Sequence, residues 1–100
     1  MHDCKTSHLS LLSHLSLMWT ELNNKLNAEF TFEDFSQAWA FMTEVAFLAE
    51  RKNHHPEWTN VWNKVSISLS THDAGGVVTE KDRKLADGIS KIFERYQNRS

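Results

Sequence analysis

The sequence has few residues of several types, and each shortage argues against a class of protein. Cys4 is its single cysteine, so no intrachain disulfide can form, and a reducing compartment is the simpler expectation. One proline and three glycines occur among 100 residues, and no internal repeat is visible. We therefore do not expect a repeat array or a segment of low complexity.

Long hydrophobic runs and an excess of positive charge are also missing. No segment approaches the roughly 20 apolar residues of a membrane span. Serine and histidine interrupt the N-terminal leucines, unlike the apolar core of a signal peptide. The formal net charge is -2 and the basic residues are scattered, which disfavours direct nucleic-acid binding. We expect a soluble intracellular protein, in the cytoplasm or alternatively the nucleus, with no membrane partner.

The residues that are present fit one small domain. Hydrophobic residues make up 40% of the chain, enough for a modest core, so residues 1–100 are predicted to form a single domain with residues 1–5 flexible. An amphipathic helix is predicted from Thr6 to Met18, because apolar residues recur there at helical spacing: Leu9, Leu12, Leu15 and Met18.

The next segment predicts two strands and a long helix. The strands lie between Trp19 and Phe32 and are joined by a turn at Asn23-Asn24. Thr31 and Asp34 resemble a capping box that opens a helix running to about Asn53. The face predicted to cover the sheet carries Phe35, Ala38, Trp39, Met42, Val45, Ala46 and Ala49, with Phe41 and Leu48 beside it and Phe47 opposite. These extra apolar side chains raise the chance of contact between subunits.

The second half predicts a hairpin and a final helix. A strand from Trp58 to Trp62 turns near Asn63-Lys64 into a strand from Lys64 to Thr71, in which apolar residues and serines alternate. Thr79 and Asp82 form a second capping pair. The helix that follows has an apolar side made of Leu85, Ala86, Ile89, Ile92, Phe93 and Tyr96. The predicted order is α-β-β-α-β-β-α, an α+β fold with a four-stranded antiparallel sheet and helices packed on one face.

Three histidines are predicted to meet at one end of this sheet. Pro56 stops the long helix and keeps His55 extended, so His54 and His55 lie at the helix exit. Because the hairpin doubles back, the end of its second strand brings His72 beside that pair. Imidazole has the side-chain pKa nearest to neutrality, so the cluster predicts an acid–base site.

Several short segments, taken with their spacing, identify a family. They are Ala49-Glu50, His54-His55-Pro56-Glu57-Trp58, Asn60-Val61-Trp62-Asn63-Lys64-Val65, Thr71-His72-Asp73, Gly75-Gly76 and Asp82, with upstream support from Phe30, Phe32 and Phe35. Together they resemble the pterin-4a-carbinolamine dehydratases, over about residues 19–92. Two departures stand out, because Trp62 replaces a common tyrosine and Asn53 replaces a frequent acidic residue.

The resemblance implies an enzyme of the α+β fold described above. It implies dehydration of 4a-hydroxytetrahydrobiopterin to quinonoid dihydropterin, without a metal or a bound cofactor, in the recycling of the tetrahydropterin used by aromatic amino acid hydroxylases. The family's essential histidines fall on His54, His55 and His72. Its members are homodimers or homotetramers. Some animal members also serve as dimerisation cofactors of a homeodomain transcription factor, and such a non-catalytic module is the alternative function.

The residues predict separate roles for the three imidazoles. We expect His54 and His72 to act as acid and base, in an order that the sequence leaves open. His55 is expected to orient the substrate or relay a proton, because neighbours in an extended chain point to opposite sides. Zinc binding by the three histidines is a disfavoured alternative, since no cysteine lies near them.

Other residues are expected to contact the substrate. Glu50 precedes His54 by one helical turn and is expected either to hydrogen-bond an imidazole or to be a solvated helix-end carboxylate. Trp19 is a candidate wall for a flat pterin, whereas Trp58 is expected in the core. The remaining predicted contacts are Asn53, Ser70, Thr71 and Asp73.

Overall fold

The computed structural model describes residues 18–97, so the predicted flexible residues 1–5 and all but Met18 of the predicted N-terminal helix lie outside them. The strands are β1 (Thr20–Leu22), β2 (Lys25–Thr31), β3 (Glu57–Val61) and β4 (Lys64–Leu69), and the helices are α1 (Phe35–Lys52) and α2 (Glu80–Gln97). A 3-10 helix, His72–Ala74, follows β4. Between residues 18 and 97, neither helix has the length and apolarity that crossing a membrane requires.

The four strands form one antiparallel sheet, as predicted, and their order in it is β1-β2-β4-β3. Asn23 and Asn24 both have positive φ, 55° and 63°, which a two-residue hairpin turn requires and asparagine tolerates. In β4 the buried residues Val65, Ile67 and Leu69 alternate with half-buried serines, so one face packs on the helices. The predicted α+β class is confirmed.

The β3–β4 turn begins one residue earlier than predicted. Trp62 has a φ of 51° and lies in the turn, because a left-handed residue cannot continue the strand ladder. The Asn60 side chain donates to the carbonyls of Trp62 and Lys64 at 3.1 and 2.9 Å, which stabilises this conformation. Trp62 is therefore exposed at the tip of the hairpin.

Helix α1 does not begin with the predicted capping box of Thr31 and Asp34. Asp34 is the N-cap, and its side chain accepts a hydrogen bond of 2.9 Å from the Gln37 backbone N–H, while the Gln37 side chain accepts from the Glu33 N–H at 3.1 Å. Thr31 is still in β2, where it is paired with Lys64, so the chain is extended there and the helix begins later.

The buried face of α1 also differs from the predicted one. Phe41 and Leu48 are buried, whereas Phe35, Trp39 and Ala46 are exposed. Apolar residues surround most of this helix, so periodicity alone does not select the inner sector. The sector is set by the ring of Phe41, which packs within 4.9 to 6.1 Å of four rings from β2, its end and α2: Phe30, Phe32, Phe93 and Tyr96.

Helix α2 packs on the sheet through the predicted side, since all six of its predicted apolar residues are buried. Gly88 permits its close approach to α1, because a Cβ at that position would lie 2.7 Å from Leu48 Cδ2. The two helices therefore share one core with the sheet, and the ends of α1 and β4 meet the start of α2 at one edge of the molecule.

Candidate active site

The end of α1 directs the histidine pair away from the helix. Asn53 is the C-cap with a left-handed backbone (φ 51°), and the N–H of His54 donates to the carbonyl of Ala49 at 3.1 Å. A left-handed residue at a helix end reverses the chain and satisfies the last carbonyls. The predicted helix exit is confirmed, and β3 begins at Glu57, directly after Pro56.

The structure brings most of the predicted site residues to one cleft of about 320 Å³. Its lining comprises Asn53, His54, His55, Ser70, Thr71, His72, Asp73 and Lys81. This volume is at the lower end of the range for ligand pockets, roughly 300–1,000 Å³. The three imidazoles thus line a single space, as the doubling back of the hairpin predicted.

His54 is anchored by a buried carboxylate of α2. Its Nε2 lies 2.5 Å from Oδ1 of Asp82, and the two side chains are 12% and 0% exposed. The other carboxylate oxygen accepts hydrogen bonds from the Thr71 hydroxyl at 2.7 Å and from the Thr79 backbone N–H at 2.8 Å. The hydroxyls of the two threonines are 2.6 Å apart. One network therefore joins the exit of α1, the end of β4 and the start of α2.

Asp82 is ionised at neutral pH in spite of its burial. Burial alone raises the pKa of its carboxyl, but hydrogen bonds from His54, Thr79 and Thr71 and the charge of a protonated His54 hold that pKa below its ordinary value of 3.8. A carboxylate only accepts hydrogen bonds, so Nε2 of His54 carries a proton. Nδ1 makes no hydrogen bond within residues 18–97 and is the nitrogen available for proton transfer.

His55 forms a second imidazole–carboxylate pair on the outside of the cleft. Its Nε2 lies 3.0 Å from Oε1 of Glu50, and the two side chains are 59% and 81% exposed. Because the His54 ring turns inward to Asp82, Glu50 pairs with His55. Glu50 does not line the cleft.

His72 is positioned by its backbone. It begins the 3-10 helix, and its carbonyl accepts from the Gly75 N–H at 3.0 Å. A bridge in which the Thr71 N–H donates to the Val77 carbonyl at 2.9 Å closes this loop. The exposed His72 imidazole makes no hydrogen bond within residues 18–97, so both of its nitrogens are available to a ligand.

Of the other residues predicted to contact the substrate, some line the cleft with a free side chain and others only hold the site together. The Ser70 hydroxyl lines the cleft and has no partner within the described residues, whereas the Thr71 hydroxyl is occupied by Asp82 and Thr79. Thr71 therefore supports the site and does not have a free hydroxyl for a ligand. Trp19 is not brought to the cleft, because its indole packs in the core and its N–H donates to Ser90 Oγ at 2.8 Å.

Two functional candidates were not predicted as site residues. Asp82 entered the sequence prediction only as a capping residue and as part of the family pattern, but it precedes Leu85 and Ile89 by three and seven residues. That spacing places a carboxylate on the buried side of α2, where it requires partners. Lys81 had no comparable signal, since an exposed lysine in a first helical turn is ordinary.

The cleft combines groups suited to proton transfer on a small ring. The tautomer of the His54 imidazole is fixed by Asp82, and the His72 imidazole has no side-chain partner among residues 18–97. Other hydrogen-bonding groups line the cleft around these two rings. Among the side chains of residues 18–97, no set of three or more His, Cys, Asp and Glu is placed to hold a metal ion.

Known proteins share both this sequence and this fold. A family model described as Pterin 4 alpha carbinolamine dehydratase matches residues 5–92. A protein of Prochlorococcus marinus (strain MIT 9515), named as a candidate pterin-4-alpha-carbinolamine dehydratase, is 51% identical over 77% of this chain and 79% of its own length. One of Christiangramia forsetii with the same name is 53% identical over 76% of this chain and 77% of its own length.

Two solved structures have a similar fold. The crystal structure of a transcriptional coactivator/pterin dehydratase from Brucella melitensis superposes with a TM-score of 0.73 at 36% identity, over 84% of this chain and 94% of that one. A pterin dehydratase-like protein identified as a RuBisCO assembly factor in the alpha-carboxysome matches with a TM-score of 0.61 at 24% identity, over 74% and 84%, and shares the fold alone. The match over residues 5–92, and the identity of about half over 79% and 77% of two relatives' lengths, place this chain in the pterin 4 alpha carbinolamine dehydratase family.

Proposed function

We propose that this chain dehydrates 4a-hydroxytetrahydropterin to quinonoid dihydropterin and thereby recycles the pterin cofactor of aromatic amino acid hydroxylases. The observation that carries the proposal is the single cleft lined by His54, His55 and His72, with His54 bound to an ionised, buried Asp82. The names of relatives about half identical to the chain support the substrate class.

The reaction requires two proton transfers at neighbouring atoms of the pterin. The hydroxyl on C4a takes a proton and leaves as water when the C4a–O bond breaks. The ring nitrogen N5 loses its proton, and the electron pair left behind forms the C4a–N5 double bond. A charged imidazole donates the proton to the hydroxyl, and a neutral imidazole accepts the proton from N5. At the end of the turnover the first ring is neutral and the second is charged.

His54 suits the role of base in this scheme. Its Nε2–H is held by Asp82, so Nδ1 presents a lone pair when the ring is neutral. When Nδ1 takes the proton from the pterin, the adjacent carboxylate stabilises the imidazolium that forms. Asp82 acts through His54 and is a positioning residue.

His72 suits the role of acid, and His55 that of an orienting residue. The exposed His72 ring exchanges protons with water and can be recharged after it has protonated the leaving hydroxyl. His55 is hydrogen-bonded to Glu50 beside the substrate space, and this exposed pair biases the orientation of its ring. The Asp73 carboxylate can accept hydrogen bonds from the amino and N–H groups of the pterin, while Ser70 and Asn53 can serve its carbonyl edge.

Turnover of the carbinolamine tests the proposal. A hydroxylase would generate 4a-hydroxytetrahydrobiopterin, and ultraviolet absorbance would follow its decay with and without this chain. We expect decay well above the spontaneous rate, and a loss of about 10²- to 10³-fold in His72→Ala. His8→Ala, which alters a histidine outside the described residues, is the control. Decay at the spontaneous rate with folded wild-type protein would refute the proposed function.

Protein contact is a second candidate role, carried by a specific surface. We infer that the outer side of α1 pairs with a second copy of the chain, because Phe35, Trp39 and Phe47 are large apolar side chains exposed on it. The ring centroids of Phe35 and Trp39 are 6.1 Å apart and the rings are stacked, so the two side chains form one apolar surface. A homodimer or homotetramer is the expected assembly, and a transcription-factor partner is the wider alternative.

Sedimentation and activity measurements separate the two roles. Trp39→Glu is expected to lower the mass of the assembly in analytical ultracentrifugation, whereas Glu33→Gln, an exposed position just before α1, should leave it unchanged. His72→Ala is expected to lower turnover by the factor given above without changing the mass. A monomeric wild-type protein would contradict the assembly through α1 and leave the catalytic proposal intact.

A further inference from the structure

A second cleft adjoins the proposed catalytic cleft. Its volume is about 330 Å³, and its lining is Lys52, Glu80, Arg83, Lys84 and Asp87. Lys52 directly precedes Asn53 of the catalytic cleft, and Glu80 directly precedes Lys81, which also lines the catalytic cleft. The end of α1 and the first turns of α2 therefore form a rim that both clefts share.

Three lysines without carboxylate partners mark this rim. Lys81 and Lys84 are three residues apart and so lie on the same side of α2, and Lys52 closes the outer cleft from the end of α1. None of the three makes an ion pair or a side-chain hydrogen bond within residues 18–97. We call Lys52, Lys81 and Lys84 the lysine strip.

The other charged groups around the strip do not cancel it. Arg83 is paired with Glu21 at 3.0 Å, and Asp87 is paired with Lys91 at 3.2 Å. Glu80 and Asp73 are the two remaining carboxylates that line the clefts. Among the side chains that line the two clefts, three unpaired ammonium groups therefore accompany two unpaired carboxylates, so the unpaired groups carry a surplus of one positive charge.

We propose that the lysine strip binds an anionic group on the side chain of the substrate, so that this chain favours pterins with a carboxylate or phosphate tail over pterins with a neutral tail. This inference rests on the proposed function. The pterin ring occupies the histidine cleft, and its C6 side chain leaves past Lys81 towards Lys52 and Lys84. Ammonium groups are compact charges that bind either kind of anion.

Equilibrium binding of stable dihydropterins tests this without turnover. The probes are 7,8-dihydrobiopterin with a neutral tail, 7,8-dihydrofolate with a glutamate tail, and 7,8-dihydroneopterin triphosphate, each titrated calorimetrically at low ionic strength. The variants are the wild type, the double variant K52Q/K84Q, whose two positions line the second cleft and not the catalytic one, and Lys64→Gln, which removes an exposed lysine at the far end of β4. Circular dichroism would verify that all three are folded.

At least one anionic probe should bind the wild type about tenfold more tightly than the neutral probe, since each exposed ion pair adds a few-fold in affinity. The double variant should lose most of this advantage without losing affinity for the neutral probe, as should the wild type in 0.5 M salt. Whichever anionic probe binds more tightly than the neutral probe identifies the preferred tail as glutamate or phosphate. Equal affinities of the wild type for the anionic and neutral probes would overturn the proposed role of the lysine strip. An equal loss of affinity for the anionic probes in Lys64→Gln would do the same. Failure of all three probes to bind would overturn the proposed function as well.

Discussion

His54 and His55 are neighbours in the chain, and each places Nε2 beside a carboxylate, but the two pairs lie in opposite environments. The His54–Asp82 pair is buried, and Asp82 also accepts from Thr71 and Thr79. The His55–Glu50 pair is exposed to solvent. Water screens an exposed pair and leaves its side chains mobile, whereas a buried pair with all its hydrogen bonds made holds one geometry. An imidazole–carboxylate pair can therefore set a tautomer where it is buried and only bias an orientation where it is exposed.

The largest expected difference is between the two histidines themselves. His54→Gln should lower kcat by about 10²- to 10³-fold, because it removes the base, whereas His55→Gln should lower it by about tenfold or less. Glutamine keeps an N–H that can donate to Asp82, so that variant tests chemistry with less effect on folding than alanine. Steady-state turnover of the carbinolamine gives both values. Equal losses in the two variants would remove the distinction between the pairs.

The two carboxylates give the next comparison. Asp82→Asn should lower kcat about 10- to 100-fold and the free energy of unfolding by about 2 kcal/mol, because an amide cannot accept from His54, Thr71 and Thr79 together. Glu50→Gln should change kcat less than about threefold, because it alters an exposed pair. Turnover and urea denaturation measure the two effects. An activity loss in Asp82→Asn that vanishes when only the folded fraction is counted would show that the residue acts through stability alone.

The hydroxyl that supports Asp82 should have a smaller effect. Thr71→Val removes a bond of 2.7 Å to the carboxylate at nearly constant volume, so we expect a loss of about 1 kcal/mol in the free energy of unfolding. Thr59→Val, at an exposed position of β3, is the matched control and should be neutral. Equal unfolding midpoints for the two variants in urea would show that the network adds no stability.

The pH dependence of stability sharpens the comparison further. The pKa of Asp82 is below its ordinary value of 3.8 in the folded protein, so between those two values the unfolded chain binds more protons. The stabilisation by ionised Asp82 is therefore complete above pH 3.8 and is lost as the pH falls through the folded pKa. Urea denaturation at pH 6 and pH 3 should show a smaller stability difference between wild type and Asp82→Asn at the lower pH. A stability difference between wild type and Asp82→Asn that is larger at pH 3 than at pH 6 would contradict the lowered pKa of Asp82.

Much of the fold follows from local patterns. The alternation in β4, the Asn23-Asn24 turn and the apolar side of α2 predicted their elements correctly, because each pattern matches only one backbone geometry. The face of α1 was predicted only in part, since Ala38, Val45 and Ala49 are buried as expected but Phe35, Trp39 and Ala46 are exposed. Apolar residues occur around most of its circumference, so its inward sector depends on which aromatic rings it meets.

The candidate site divides in a similar way. That His72 should arrive near His54 and His55 followed from the hairpin, since antiparallel strands return to their start. The partner of each histidine did not follow. Glu50 was expected either to hydrogen-bond an imidazole or to be a solvated carboxylate. It hydrogen-bonds His55, because the left-handed Asn53 turns the His54 ring towards α2.

The sequence by itself determined the order of elements, the helix exit at Asn53 and the presence of three imidazoles at one end of the sheet, because these depend on neighbours in the chain. Only the tertiary structure decided that Asp82 is buried against His54 and that Lys52, Lys81 and Lys84 border the same space. His54 and Asp82 are 28 positions apart, and Lys52 is still further from Lys81 and Lys84, so these relations arise only when α1 and α2 pack on the sheet together.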